Sequence, residues 1–179
     1  MIYSAWLLLL PEDTARSDKL AQRRIDDNIA KGRIPRNGMI RSLEKEKVGT
    51  RCECAGWLYF HPLCTWHEFR EDVRNLPDLD DFIDVKGRSG TGQPMICYAG
   101  SNPDWAYLLV WAGDHPKYHI VSWCWGREAM TVPITDPTGQ NRPAHFVPWD
   151  APFMKSPGEL FEEQRRRRQS AADGAKLWP

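Results

Sequence analysis

Apolar positions recur along this chain at two periods, and the switch between them divides it into a helical first third and a strand-rich remainder. Over residues 13–31, Ala15, Leu20, Ala21, Ile25, Ile29 and Ala30 return at roughly the 3.6-residue spacing of a helix. Asp13 or Thr14 is the predicted N-cap, and Gly32 is placed to end the helix. Ahead of it, the apolar run 1–10 reads as a buried strand or core-packed segment. Pro11, Glu12 and Asp13 stop that run well short of the ~20 residues of a spanning helix, and it lacks the basic flank and cleavage site of a signal peptide. Residues 32–49 show no sustained period and read as a connection. Thr50 is the predicted cap of a second helix through Cys52, Glu53, Ala55, Trp57, Leu58 and Phe60, with Pro62 ending it. Glu53 is the one charged side chain inside that apolar stretch.

Beyond residue 65 the pattern changes to short runs of strand character at 66–73, 82–86, 95–98, 105–111 and 118–123, the last two joined by hairpin-loop chemistry over 112–117. A helical turn is expected at 127–130. Six prolines between 131 and 157 predict extended, irregular chain. Ser156 and Pro157 can start a last helix running into Arg165, Arg166, Arg167 and Arg168, followed by a small-residue tail expected to be mobile. The expected fold is an α/β domain whose central mixed sheet is flanked by helices, with 82–86 as an inner strand. The expected organisation is an apolar segment, basic helix and connection (1–48), a core (49–155) and a basic C-terminal helix with its tail (156–179).

Composition narrows the function classes. Lys plus Arg and Asp plus Glu both count 24, so overall charge selects neither a nucleic-acid nor a membrane partner, and any basic surface is local. Arg16, Lys19, Arg23, Arg24, Arg88 and Arg165 to Arg168 are the residues that could provide one; the bland reading of each run is a solvated helix face. Five cysteines without a secreted-framework spacing point to reduced thiols in a cytoplasm. Cys52, Cys54, His61, Cys64 and His67 invite a zinc reading, but Cys52 and Cys54 point about 200° apart on a helix, so zinc is disfavoured. Trp105, Trp111, Trp123 and Trp125 could stack bases, although core and sheet-surface packing is the simpler role.

The informative stretch is Phe82-Ile83-Asp84-Val85-Lys86. On a strand Ile83 and Val85 share one face, while Phe82, Asp84 and Lys86 share the other. Asp84 and Lys86 then lie about 7 Å apart at Cα, within reach of one small site. Carboxylate oxygens suit a hard divalent cation, which polarises a phosphoryl oxygen and activates water, and an amine stabilises charge on phosphorus. One carboxylate does not hold such an ion, so upstream Asp78, Asp80 or Asp81 must join it.

Pro77-Asp78 with Asp84-Val85-Lys86 resembles the PD-(D/E)XK signature of the restriction-endonuclease-like superfamily, and Glu53 resembles in placement the metal-proximal Glu of the preceding helix. Segments 49–55, 122–130 and 141–148 resemble a group of phage-encoded proteins of that superfamily. Six residues from Asp78 to Asp84 is tight for the superfamily, which keeps Asp80 and Asp81 as alternatives to Asp78. The resemblance implies a restriction-endonuclease-like core and an Mg²⁺- or Mn²⁺-dependent nuclease acting on nucleic acid, DNA foremost. Asp78, Asp84 and Glu53 would be its metal ligands and Lys86 the assisting amine. It also implies a phage protein in the host cytoplasm with no membrane partner, and leaves open a homodimer. The alternative is a nuclease-like scaffold without catalysis that binds nucleic acid or a host protein.

Overall fold

A computed structural model of the chain describes residues 4–31, 43–67, 76–136 and 142–175. The chain begins with strand β1 (Ala5–Leu8) and helix α1 (Pro11–Ala30). The start of α1 is set by Pro11 rather than by Asp13 or Thr14: proline's fixed φ suits the first helical position. Asp13, two residues further, accepts a hydrogen bond from the Leu10 N–H at 3.3 Å. Gly32 lies outside the described residues.

Helix α2 (Leu43–Phe60) begins a full two turns before Thr50, correcting the reading of 43–49 as connection. Its first turns, Leu43-Glu44-Lys45-Glu46-Lys47-Val48, are mostly good helix formers that carry the helix through Gly49. Thr50 is therefore buried mid-helix, its hydroxyl donating to the Glu46 carbonyl at 3.2 Å. The boundary drawn between 48 and 49 falls inside this helix.

The strand region follows as β2 (Ile83–Arg88), β3 (Met95–Tyr98), β4 (Ala106–Ala112) and β5 (Lys117–Trp125), then the short α3 (Gly126–Ala129), β6 (Ile134–Thr135), β7 (Ala144–Val147) and α4 (Pro157–Ala175). One sheet has the order β1-β5-β4-β2, mixed because β2 runs parallel to β4 while the other pairs are antiparallel. The second sheet, β3-β7-β6, is antiparallel. The proline-rich 131–157 segment thus holds two strands as well as irregular chain. Of the run 66–73, Trp66 makes an isolated bridge to Leu79, and residues 68–73 lie outside the described residues, as does the tail beyond 175.

Two cores sandwich the mixed sheet. On one face Leu20 of α1, Cys52, Ala55 and Phe60 of α2 and Leu160 of α4 pack on Ile83, Val85, Leu108, Val110 and Ile120. On the other, Tyr107, Leu109, Trp111, Val121 and Cys124 meet Met95, Cys97 and Val147 of the second sheet and Ala129 of α3. Because β4 is covered on both faces, it reads as an unbroken apolar run rather than an alternating one. The long helices therefore flank one face and the second sheet covers the other. No helix among the described residues is long and apolar enough to cross a membrane.

β2 is an edge strand, not the inner strand expected from its sequence. After Arg88 the chain leaves for β3, which joins the other sheet, and no regular strand among the described residues takes up the second side of β2. At the start of that edge Leu79 and Ile83 exchange backbone hydrogen bonds of 2.9 and 3.2 Å.

Candidate functional site

The outer edge of β2 in the described sheet places the candidate residues. An edge strand presents backbone groups without ladder partners, and the outward Val85 N–H is taken by the Asp78 carboxylate at 2.8 Å. Asp78 is thereby fixed beside the strand that carries Asp84 and Lys86. Those two side chains lie on the face turned away from α2 and are in direct contact as an ion pair. Lys86 Nζ also sits 5.0 Å from the centre of the Tyr107 ring.

α2 supplies the third carboxylate from the opposite face. It approaches β2 closely at Gly87, where a Cβ would lie 2.9 Å from Cys52 Cβ, and at Gly56, where one would lie 3.2 Å from Val85 Cγ2. Glu53, next to Cys52 on this helix, is buried. Both its oxygens are held by Arg24 of α1, at 2.6 and 2.7 Å, and one also accepts from the Trp66 indole at 3.4 Å. Glu46 stands 3.7 Å from the same guanidinium.

The electrostatics show that these groups act on one another. Burial, then the charges of Glu53 and Asp84, drive the Asp78 carboxyl well above its ordinary range, against the opposing pull of Lys86 and the Val85 N–H. Burial disfavours the Lys86 ammonium, but Asp84 and Asp78 outweigh it, and its pKa is raised. Arg24 is likewise raised, its burial overcome by Glu53, Asp78 and Glu46. Cys97, behind Lys86, is pushed up to about 12 by burial. Glu53 is matched by Arg24 and Asp84 by Lys86, so among the described residues of this group Asp78 is the carboxyl without a cation in direct contact.

Of the three upstream aspartates, Asp78 joins this group. Asp80 turns toward α4: its carboxylate accepts the Thr65 N–H at 2.7 Å and contacts the Gln164 amide and Arg168. Asp81 is exposed. The structure thus sets Asp78 beside the strand that carries Asp84 and Lys86, while Glu53, held by Arg24 on the α2 side, acts on Asp78 through its charge. As the side chains stand, no group of three His, Cys, Asp or Glu residues among the described residues is arranged to hold a metal ion. Cys52, Cys54 and Cys64 are buried in the core and form no disulfide.

The basic residues named from sequence are dispersed. Arg16 is exposed and lies 5.1 Å from the Trp57 and Trp66 rings; Lys19 and Arg23 are exposed on α1. Arg24 instead turns inward, and periodicity could have shown it: positions 17, 20, 21 and 24 share one helical face, and the first three are buried. Arg165 pairs with Glu162, Arg166 and Arg167 with Glu163, and Arg168 with Asp80. Trp111 and Trp123 are buried, and Trp105 and Trp125 half-buried. Tyr107, whose ring backs Lys86, and Trp66, which bonds Glu53, were missed because nothing in their local pattern links them to the acidic stretch.

No family model, curated protein or solved structure matches the chain. The functional reading therefore rests on the arrangement just described.

Proposed function

We propose that this protein is a divalent-metal-dependent nuclease of the PD-(D/E)XK type, hydrolysing phosphodiester bonds of nucleic acid with DNA as the foremost substrate. The observation that carries the reading is Asp78 fixed on the Val85 N–H beside the strand that bears the Asp84–Lys86 ion pair. A helix whose glutamate faces the strand bearing Asp-x-Lys, in a mixed sheet, supports a restriction-endonuclease-like core. The resemblance further places the protein among phage-encoded members acting in a host cytoplasm.

The donor set fits Mg²⁺ or Mn²⁺: hard carboxylate oxygens, those of Asp78 without a cation in direct contact among the described residues. Asp78 and Asp84 would hold the ion and Glu53 would complete the site, once Asp84 exchanges its contact with Lys86. Such an ion supplies phosphoryl polarisation and an activated water. Lys86, freed from Asp84, faces the developing charge on phosphorus. Its ammonium group would act there by electrostatic stabilisation. Arg24 holds the orientation of Glu53.

One observation favours a second reading, an inactive nuclease-like scaffold that binds nucleic acid or a host protein: both oxygens of Glu53 are already engaged by Arg24. Incubation of the purified protein with Mg²⁺ or Mn²⁺ and single- and double-stranded DNA and RNA separates the two. The nuclease reading expects cleavage that falls by roughly 10²-fold or more in Asp84→Asn and Lys86→Met; intact substrates throughout would leave the scaffold.

A further inference from the structure

The alternation that brings Asp84 and Lys86 to one face of β2 continues to Arg88, two residues on. Among the cations that the described structure turns toward the mixed sheet, Arg88 stands apart. Arg24 is met by Glu53, Arg51 by Asp18 and Lys86 by Asp84. For Arg88 no carboxylate partner is found among the described residues. Its Nε is sealed from solvent without a hydrogen-bond acceptor. The acidic side chain that acts on it is the Tyr98 phenol, a hydroxyl rather than a carboxylate, and burial lowers its pKa against that pull.

An unsatisfied buried donor on a charged group costs stability. No described residue accepts from that Nε, the residue as a whole is half-buried, and a guanidinium fork matches the oxygens of a phosphate group. Its place is defined relative to the candidate centre: its Cα is about 7 Å beyond that of Lys86 along the same strand face. With two long side chains in succession, the strand offers two cations in a row, and it lies at the outer edge of the described sheet.

We infer that Arg88 binds a phosphate adjacent to the one attacked, so that the site takes a polynucleotide strand rather than an isolated phosphodiester. This rests on the phosphodiester-cleaving reading for the role of Lys86, but not for the anion subsite itself. Lys86 faces the scissile phosphate and Arg88 the neighbouring one on the same strand. The subsite adds binding to the substrate and its transition state alike, so its loss appears in KM rather than kcat.

The test uses the full chain, Arg88→Gln and Arg88→Met, with two Mn²⁺-dependent substrates: a single-stranded oligodeoxynucleotide and the small diester bis(4-nitrophenyl) phosphate. We expect Arg88→Gln to raise KM for the oligonucleotide by roughly ten-fold or more. Its kcat, and its hydrolysis of the small diester, should stay unchanged. Oligonucleotide binding should also lose about one unit of salt slope. Arg88→Met should melt at or above the temperature of the unaltered protein, which a structural role would not allow. Equal effects on both substrates, no effect on either, or a clear loss of melting temperature in Arg88→Met overturns the assignment. If the unaltered protein cleaves nothing yet binds the oligonucleotide, and Arg88→Gln weakens that binding, the nuclease reading falls while the anion subsite stands. If it neither cleaves nor binds, both fall.

Discussion

Replacing Asp78 by Asn probes its carboxyl directly. In the folded chain burial, Glu53 and Asp84 raise the Asp78 pKa, while in the unfolded chain it returns to its ordinary value of about 4. The native state therefore holds this proton more tightly than the unfolded state does. Its contribution to stability is complete below pH ~4 and is lost as pH rises toward the folded-state value. Asn is neutral throughout, and its side-chain oxygen can still accept the Val85 N–H that Asp78 accepts at 2.8 Å. The metal-free variant should thus match the unaltered protein at pH 4 and exceed it at pH 8. Each unit by which the pKa is raised is worth about 1.4 kcal/mol, and each kcal/mol about 2–4 °C of melting temperature for a chain of this size. Thermal melts at both pH values in EDTA provide the assay. Added Mg²⁺ should narrow the difference at pH 8, because an ion at a hundred times its Kd stabilises only a protein that binds it, by about 2.7 kcal/mol. A variant no more stable at pH 8 than at pH 4, relative to the unaltered protein, would refute the reasoning.

Other consequences follow from the same contacts. Arg24→Ala leaves the buried Glu53 carboxylate without its bidentate partner and should cost about 3–5 kcal/mol in urea unfolding, most of it recovered in the Arg24→Ala, Glu53→Gln double variant. Gly87→Ala drives a methyl into Cys52 at the closest approach of α2 and β2; a loss of about 1–3 kcal/mol is expected, measured by the shift in urea midpoint. Arg167 lies 4.0 Å from the centre of the Phe82 ring, so Arg167→Ala should cost about 0.5–1 kcal/mol, whereas exposed Arg165→Ala should change stability by less than about 0.5 kcal/mol.

Much of the strand region was legible because alternation there is local. Ile83 and Val85 against Asp84 and Lys86 located β2, and the turn residues 112–117 located the β4–β5 hairpin. What local pattern does not encode is the partner of a strand. Nothing in 82–86 says that the chain leaves the sheet after Arg88, so β2 was expected inside the sheet and stands at its edge. That difference creates the site, since an inner strand would have no free Val85 N–H for Asp78. Thr50 looked like a cap because the stretch before it shows no sustained apolar period, but the helix-forming run from Leu43 carries the helix through Gly49. β7 was hidden by Pro143 and Pro148, which flank its four residues rather than interrupt them. The motif placed Glu53 on the helix that precedes the strand region, and it lies on α2. Its neutralisation by Arg24 depends on the packing of α1 against α2, which no single-helix pattern contains.

The most direct test of the central claim is to locate a bound cation. Crystals of the full chain soaked in Mn²⁺ should show an anomalous difference peak against the carboxylates of Asp78 and Asp84, absent from Asp84→Asn. A peak elsewhere, or none at saturating Mn²⁺, would contradict the account.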